Sequence, residues 1–126
     1  MKIIIPFKTP SINMVYWHRG NIKIMTAKGR ECRKEILEIM SEIDKEDIEA
    51  LKDELLKVTI EVYENWFTKV DNMVRKTDVA NREKFLIDSV FEGLGIDDRF
   101  IFELTVKKMP MYDIEKAIVT IEVLDV

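Results

Sequence analysis

Several stretches of the chain have the residue patterns of β-strands. Two alternate apolar and polar positions with the two-residue period of a strand that buries one face, residues 58–63 and 100–106. Residues 117–123 are predicted to form the last strand. Residues 3–5 form a short apolar run that ends at Pro6, and residues 15–25 hold two apolar segments separated by turn residues, which predicts a hairpin. We also expect the last two strands to form a hairpin that turns near Met109 and Pro110.

Three other stretches repeat apolar residues at helical spacing. They are residues 26–43, 44–57 and 79–93. Thr26 can cap the first helix, and Cys32 lies on its apolar stripe, where we expect it to pack rather than to react. Asp44 can cap the second helix, which is acidic and has a narrow apolar stripe. The third helix has a broad apolar surface, and Gly93 or Gly95 can end it.

This order of elements predicts an α+β fold. We expect a single domain over residues 1–126, with a mixed sheet and helices packed mainly on one face. The apolar runs are far shorter than the roughly 20 residues that span a bilayer. Pro6 and Lys8 interrupt the N-terminal segment before a signal peptide can form. We therefore expect a cytoplasmic protein without membrane association.

Charge is distributed unevenly along a chain whose net charge is −4. Residues 1–40 contain 8 Lys or Arg against 3 Asp or Glu, whereas residues 41–66 contain 3 against 9. The basic first third, together with Arg75, Lys76, Arg82 and Lys84, can offer a surface to phosphate while the acidic excess lies elsewhere. The alternative is that these charges are ordinary solvated faces.

Metal-ligating residues other than carboxylates are scarce. The chain has one cysteine, Cys32, and one histidine, His18. This excludes an internal disulfide and a cysteine cluster, and it makes nitrogen and sulfur ligation of zinc improbable. A metal site in this chain must therefore be built from oxygens, which favours Mg²⁺ or Mn²⁺.

Acidic residues bracket the predicted third helix, with Asp78 at its start and Asp98, beside Asp97, after its end. Their carboxylates can share one cation if the flanking strands are neighbours and the turn doubles back along a helix of about 20 Å. Such an ion would bind a phosphate, and Lys84 could neutralise charge that develops there. The alternative is that Asp78 only caps the helix and the paired acids only form a turn.

Four motifs follow one another along the chain. They are PSIN at 10–13 with Tyr16, TxxGRxxR at 26–33, DVANREKFLID at 78–88 and IDDR at 96–99. Their order and spacing resemble the RusA family of Holliday junction resolvases. The resemblance covers most of the domain except the acidic segment at about 41–57, which looks like an insertion.

This resemblance implies a small, homodimeric, magnesium-dependent (or manganese-dependent) endonuclease of the kind often found in phages and prophages. Such enzymes cut four-way DNA junctions in recombination and repair. Carried over by motif position, the catalytic residues are Asp78, Asp98 and Lys84, and the metal ligands are Asp78, Asp98 and its neighbour Asp97. Asp88 matches an acid that recurs in the helix of this family.

DNA contacts are expected from polar, basic and aromatic residues of several motifs. They are Asn13, Tyr16, Arg19, Arg30, Arg33, Arg75, Lys76, Asn81 and Arg82. Tyr16 and Trp17, beside Arg19, could stack on bases exposed near a branch point. A four-way junction has approximate two-fold symmetry, so a dimer would present two equivalent sites to two equivalent strands.

The chain departs from the family motif at Ala80, where the second carboxylate is expected, and a methyl group cannot bind a metal. Three explanations stay open. The residue is an introduced Asp→Ala change that silences cleavage, or the chain is a natural member that uses Asp88 or Asp97 instead, or it binds junctions without cutting them. A flap nuclease, a non-catalytic branched-DNA-binding protein and a dimeric protein-interaction module that uses the acidic helix are the alternative functions.

Overall fold

The computed structural model describes residues 1–70, 72–76 and 79–125. Its elements follow in the order β1 (Lys2–Ile5), α1 (Ile12–Val15), β2 (Tyr16–Arg19), β3 (Ile22–Met25), α2 (Ala27–Ser41), α3 (Lys45–Glu49), β4 (Leu56–Glu64), α4 (Ala80–Leu94), a 3-10 helix (Asp98–Phe100), β5 (Ile101–Pro110) and β6 (Lys116–Val123).

Four strands form the main sheet in the described part of the chain, in the order β1-β6-β4-β5. β4 is antiparallel to β6 and parallel to β5, and α4 is the crossover helix between the two parallel strands. The strands that flank α4 are therefore neighbours, as the sequence led us to expect. The α+β class and the mixed sheet are also confirmed. β2 and β3 pair as the predicted N-terminal hairpin, apart from the main sheet.

The predicted hairpin between the last two strands is wrong, because β6 lies on the opposite side of β4 from β5. The crossover through α4 makes β5 parallel to β4, and residues 111–115 then carry the chain past the end of β4. β6 takes an interior position because Ala117, Val119 and Ile121 are fully buried. β5 carries Lys107 and Lys108 and lies at the sheet edge, where charged side chains are tolerated.

α2 and α4 pack against each other and contribute to one core with the buried side of β4. Thr26 caps α2 as predicted, since its hydroxyl accepts a bond of 3.0 Å from the Gly29 backbone N–H. Cys32 is buried, as expected of a packing residue, and burial raises the pKa of its thiol. α4 begins and ends one residue later than predicted, and Gly95 follows it with a φ of 68°.

The predicted acidic helix over residues 44–57 is much shorter in the structure. α3 spans Lys45–Glu49, residues 50–53 form turns, and β4 already begins at Leu56. Asp44 occupies the N-cap position without a side-chain bond to the helix. Among residues 44–55 only Leu51 is buried, because the narrow apolar stripe covers too little surface to hold four helical turns. Whether the segment is an insertion relative to the family stays a prediction.

Candidate metal and nucleic-acid site

The turn after α4 places two acidic residues beside the helix. Gly95 ends α4, and the Asp97 Oδ1 atom accepts a bond of 2.9 Å from the Arg99 backbone N–H, which caps the 3-10 helix. Asp98 is exposed at the start of that short helix. A cleft of about 370 Å³ opens between this turn and the last two turns of α4. Its acidic lining residues are Asp88, Glu92, Asp97 and Asp98.

Asp98 also lines a second cleft, of about 340 Å³, with Glu83 and Ile87 of α4. The chain therefore turns back along α4 after Gly95. Such a reversal is required if carboxylates from the two ends of the helix are to share one cation. Asp88 lies about 12 Å along the helix axis from Ala80, at roughly 1.5 Å per residue. The exposed carboxylate of Asp98 thus lies beside the second half of α4.

Asp78 lies outside the described residues, so its predicted convergence with Asp98 stays a prediction. Ala80 is the first residue of α4 and provides no side-chain oxygen. In the described ranges, no three His, Cys, Asp or Glu side chains are grouped closely enough to hold a metal ion. The donors that line the acidic cleft are all carboxylates, and their chemistry suits a hard cation such as Mg²⁺ or Mn²⁺.

The polar face of α4 carries alternating charge. The Lys84 Nζ atom lies 3.6 Å from Asp88 Oδ2, one turn further along the helix. The Arg33 Nε atom of α2 donates to Glu92 Oε2 at 2.9 Å. This bond to Glu92 raises the pKa of the Arg33 guanidinium. Lys84 therefore lies within reach of the acidic cleft, whereas Arg33 is held against α4 and is only partly available to a ligand.

Arg82 does not belong to the exposed basic surface on which we had placed it. Its guanidinium is buried, donates through Nη1 to the Thr9 carbonyl oxygen and lies 3.1 Å from Glu64 Oε1. Lys8 Nζ approaches the same carboxylate oxygen at 3.6 Å. The reason is helical geometry, because Arg82 and Phe85 share the inward side of α4.

Glu64 was missed by the sequence interpretation, although the sequence holds a signal for it. The inward positions of β4 are Leu56, Val58, Ile60, Val62 and Glu64, so the strand pattern continues one step onto an acidic residue. A carboxylate at a buried strand position requires a cationic partner. That partner is Arg82, which fixes the start of α4 against the end of β4.

The remaining predicted DNA-contacting residues lie on several elements. Asn13 is in α1, Tyr16 and Arg19 are in β2, and Asn81 is in the first turn of α4. Arg30 in α2 donates to the Met25 carbonyl oxygen at 2.6 Å. Arg75 donates to the Asn65 carbonyl oxygen at 3.2 Å, and Lys76 is exposed. They are distributed over several elements and do not form one compact pocket.

The N-terminal hairpin is basic and aromatic. Residues 1–30 contain six Lys or Arg and no Asp or Glu. The Lys23 Nζ atom lies 3.9 Å from the centre of the Tyr16 ring, so Lys23 covers one face of this ring. Trp17 has 46% of its surface exposed, whereas Trp66 is buried and donates to the Val62 and Met109 carbonyl oxygens. The hairpin therefore offers Trp17, more than Tyr16, as a free aromatic surface.

No helix within the described ranges combines the length and the apolar content of a membrane-spanning segment.

The comparison with known proteins identifies the family of this chain. No curated protein matches the chain at a significant level. The family model described as Endodeoxyribonuclease RusA matches residues 6–123. Since this match covers nearly the whole chain, the protein belongs to the RusA endodeoxyribonuclease family.

Proposed function

We propose that this protein is a structure-specific endonuclease that hydrolyses phosphodiester bonds at Holliday junctions. The observation that carries the proposal is family membership over residues 6–123. The cleft between α4 and the following turn supports it, because Asp88 and Asp98 line this cleft together and Lys84 pairs with Asp88. The work of such an enzyme is recombination and repair of DNA, and we place it in the cytoplasm.

A divalent cation, Mg²⁺ or Mn²⁺, would be held by Asp98 and Asp88 together with Asp78, the remaining motif carboxylate, because the described acids, Asp97 included, do not by themselves group closely enough to hold it. When bound, it would polarise the scissile phosphate and make hydroxide available near neutral pH. Asp88 is our choice as the replacement for the carboxylate missing at Ala80, because it shares a cleft with Asp98.

The side chains around the cleft have separate roles in this proposal. Lys84 is exposed and can turn from Asp88 toward a phosphate, where its charge would offset the negative charge of the transition state. Asn81, one turn before Lys84, can donate to a phosphate oxygen. The Arg82–Glu64 pair orients both, because it anchors the first turn of α4 to the sheet. Arg82 is therefore a positioning residue.

The basic first third of the chain is proposed to bind the DNA backbone. Arg19, Arg30 and Lys34 are exposed, and neutralising phosphates with such residues supplies most non-specific affinity for DNA. Trp17 can stack on a base that is unpaired at the branch point. The substrate is branched DNA, and the active assembly is a homodimer that presents two clefts to two symmetry-related strands.

A second candidate function is junction binding without cleavage. Ala80 favours it, because this motif position lacks a carboxylate in the first turn of α4. The basic N-terminal segment would be sufficient for this function.

Cleavage of synthetic DNA tests the proposal. The chain, Ala80→Asp, Asp88→Asn and Asp98→Asn are incubated with four-way, flap and linear DNA, with and without Mg²⁺. We expect the unaltered chain to cut four-way DNA only with Mg²⁺. Asp88→Asn and Asp98→Asn should lower the rate at least about 100-fold, beyond the loss typical of residues that only support a ligand. Junction binding in a gel-shift assay should persist in both.

The control is Asp113→Asn, which removes an exposed carboxylate from the connection before β6 and should leave cleavage unchanged. If only Ala80→Asp cuts while the unaltered chain still binds junctions, the second candidate function is correct. If Asp88→Asn alone leaves the rate unchanged, Asp88 is not a ligand. If no form binds or cuts branched DNA, the nuclease proposal is wrong.

A further inference from the structure

A cleft of about 330 Å³ opens at the carboxyl ends of the parallel strands β4 and β5. It shares no lining residue with the two acidic clefts beside α4. Crevices outside the carboxyl ends of parallel strands are the usual ligand sites of open α/β sheets. Glu64 and Pro110, which are partners in the strand register, line this cleft. Its other lining residues are Asn65, Trp66, Phe67 and Met111.

The apolar walls of this cleft are fixed to the ends of both strands. The indole N–H of the buried Trp66 donates to the Val62 and Met109 carbonyl oxygens at 3.2 and 3.0 Å, so this side chain ties β4 to β5. Phe67 forms an isolated β-bridge with Val74 and has 45% of its surface exposed. The cleft therefore offers a flat apolar ligand an aromatic surface whose position is set before binding.

The cleft also contains a buried carboxylate with an unused acceptor atom. Glu64 Oε1 accepts from Arg82 Nη2 at 3.1 Å, whereas Glu64 Oε2 is buried without a hydrogen-bond partner in the described structure. Buried polar atoms usually have a partner, so a ligand that donates an N–H to Oε2 would supply the missing one. The same oxygen would repel a ligand that presents only carbonyl oxygens, because an ionised carboxylate has no proton to donate.

Two exposed cations contact residues that line the cleft. Lys108 Nζ lies 4.9 Å from the centre of the Trp66 ring, and Arg75 Nη1 donates to the Asn65 carbonyl oxygen at 3.2 Å. A matching ligand would thus combine negative charge at the rim with a flat, N–H-bearing group inside. A nucleotide has this combination, because its base has an apolar face and its phosphates are anionic.

We propose that this cleft binds one unpaired nucleobase of branched DNA, whose amino group donates to Glu64. This inference rests on the proposed function. The bond between Glu64 and Arg82 places the cleft beside the first turn of α4, which carries Asn81 of the family motif. A base within a duplex is stacked and paired, whereas an unpaired base at a branch point costs less to extrude. The cleft would therefore favour branched over linear DNA, and it would disfavour thymine, which has no amino group.

Substitution of Phe67 tests whether the cleft receives a base. Phe67→Ala should weaken binding of four-way DNA by about 5-fold to about 150-fold, the loss expected when one base loses an aromatic partner, and should leave binding of linear duplex DNA unchanged. Tyr112→Ala is the matched control, because Tyr112 follows Met111 and has 86% of its surface exposed but does not line the cleft. Fluorescence anisotropy without divalent metal measures both affinities. Equal weakening for both DNA shapes, or no weakening, would overturn the proposal.

A series of bases tests the role of Glu64. Four-way DNA with one unpaired nucleotide at the branch point should bind less tightly when this nucleotide is thymine than when it is adenine, cytosine or guanine. Glu64→Gln should reduce or reverse the difference, because its amide can donate to the carbonyl oxygens of thymine. A purely structural role of Glu64 would instead weaken binding of all four DNAs equally, which would contradict the proposal.

The unaltered chain keeps the test decisive even if Glu64→Gln does not fold. Equal affinity of the unaltered chain for all four bases would overturn the proposal. If the chain cuts four-way DNA but neither discriminates between bases nor responds to Phe67→Ala, the cleft inference is wrong and the proposed function stands. A chain that binds no branched DNA would overturn both.

Discussion

Glu64 and Arg82 form the main buried charged contact of the described structure at the scale of single residues. Glu64 has 4% and Arg82 5% of its surface exposed, and Glu64 Oε2, Arg82 Nε and Thr9 Oγ1 are buried without a hydrogen-bond partner in the described structure. Removing one charge of a buried pair leaves the other in a medium that solvates it poorly. Replacing one member of the pair should therefore lower the free energy of unfolding by more than the intact pair contributes to it.

Single and double substitutions should separate these two effects. Glu64→Leu should lower the free energy of unfolding by about 3 to 5 kcal/mol, because it leaves the buried Arg82 guanidinium without a counter-charge. Arg82→Met should lower it by less, because Lys8 Nζ, 3.6 Å from Glu64 Oε1, still partly compensates the carboxylate. The double variant should lose less than the sum of the two. Urea unfolding of the four proteins measures this. Glu49→Leu/Lys52→Met, which removes an exposed ion pair between the last residue of α3 and the turn after it, is a control that should unfold near the midpoint of the unaltered chain. Additive losses would show that the two side chains are not coupled.

At the scale of elements, the contact between α2 and α4 depends on a residue without a side chain. A Cβ atom at Gly93 would lie 2.5 Å from the Met40 Cβ atom and 2.6 Å from its Cγ atom. Glycine disfavours a helix relative to alanine, so its presence within α4 requires this close approach. The same packing holds the turn that carries Asp98, since that turn leaves the C-terminal end of α4.

Gly93→Ala should therefore destabilise the protein although it raises helix propensity. Overpacking costs about 1 to 3 kcal/mol, whereas the gain in propensity is up to about 1 kcal/mol. Thermal unfolding should show a lower Tm for Gly93→Ala and a Tm near the original for Glu35→Ala, a control at an exposed position in the middle of α2. A higher Tm for Gly93→Ala would mean that α2 and α4 can move apart to fit the added methyl group without a loss of stability.

At the scale of the whole molecule, opposite charges lie in different segments. Residues 1–30 carry no acidic residue, whereas residues 42–54 carry seven. Lys2 lines a cleft with Glu42, Asp44 and Asp47, so a polyanion would approach the N-terminal hairpin and the start of α2 and avoid the acidic segment.

The salt dependence of DNA binding should report this separation. Arg19→Ala and Arg30→Ala should each weaken binding to all DNA shapes, and each should reduce the slope of log affinity against log salt by about 0.9 per lost contact. Lys45→Ala and Lys52→Ala, which remove cations from the acidic segment, should leave the slope unchanged. Titrations at several salt concentrations, followed by fluorescence anisotropy, provide the measurement. If both pairs of variants changed the slope equally, DNA binding would depend on the net charge of the protein and not on where the charges lie.

The sequence predicted the parts of the fold that depend on local patterns. The strand period of residues 58–63, the cap at Thr26 and the glycine after α4 all have local causes, and each is confirmed. Strand order has a non-local cause, because it depends on which of β5 and β6 is buried more deeply beside β4. The predicted final hairpin is wrong for this reason. In the candidate site, the acidic residues and Lys84 were assigned by motif and stay predictions, whereas the burial of Arg82 depends on Glu64, eighteen positions away in the chain.

The pairing of β1 with β6 has a consequence for synthesis of the protein on the ribosome. Lys2 aligns with Thr120, and the Met1 amino group donates to the Ile121 carbonyl oxygen at 2.8 Å. β1 therefore has no partner strand until β6, more than 100 residues later in the chain, has been synthesised, and its apolar residues lack this partner until then. The main sheet is therefore completed only after β6 has been synthesised, and a chain released before β6 would leave this strand free to aggregate.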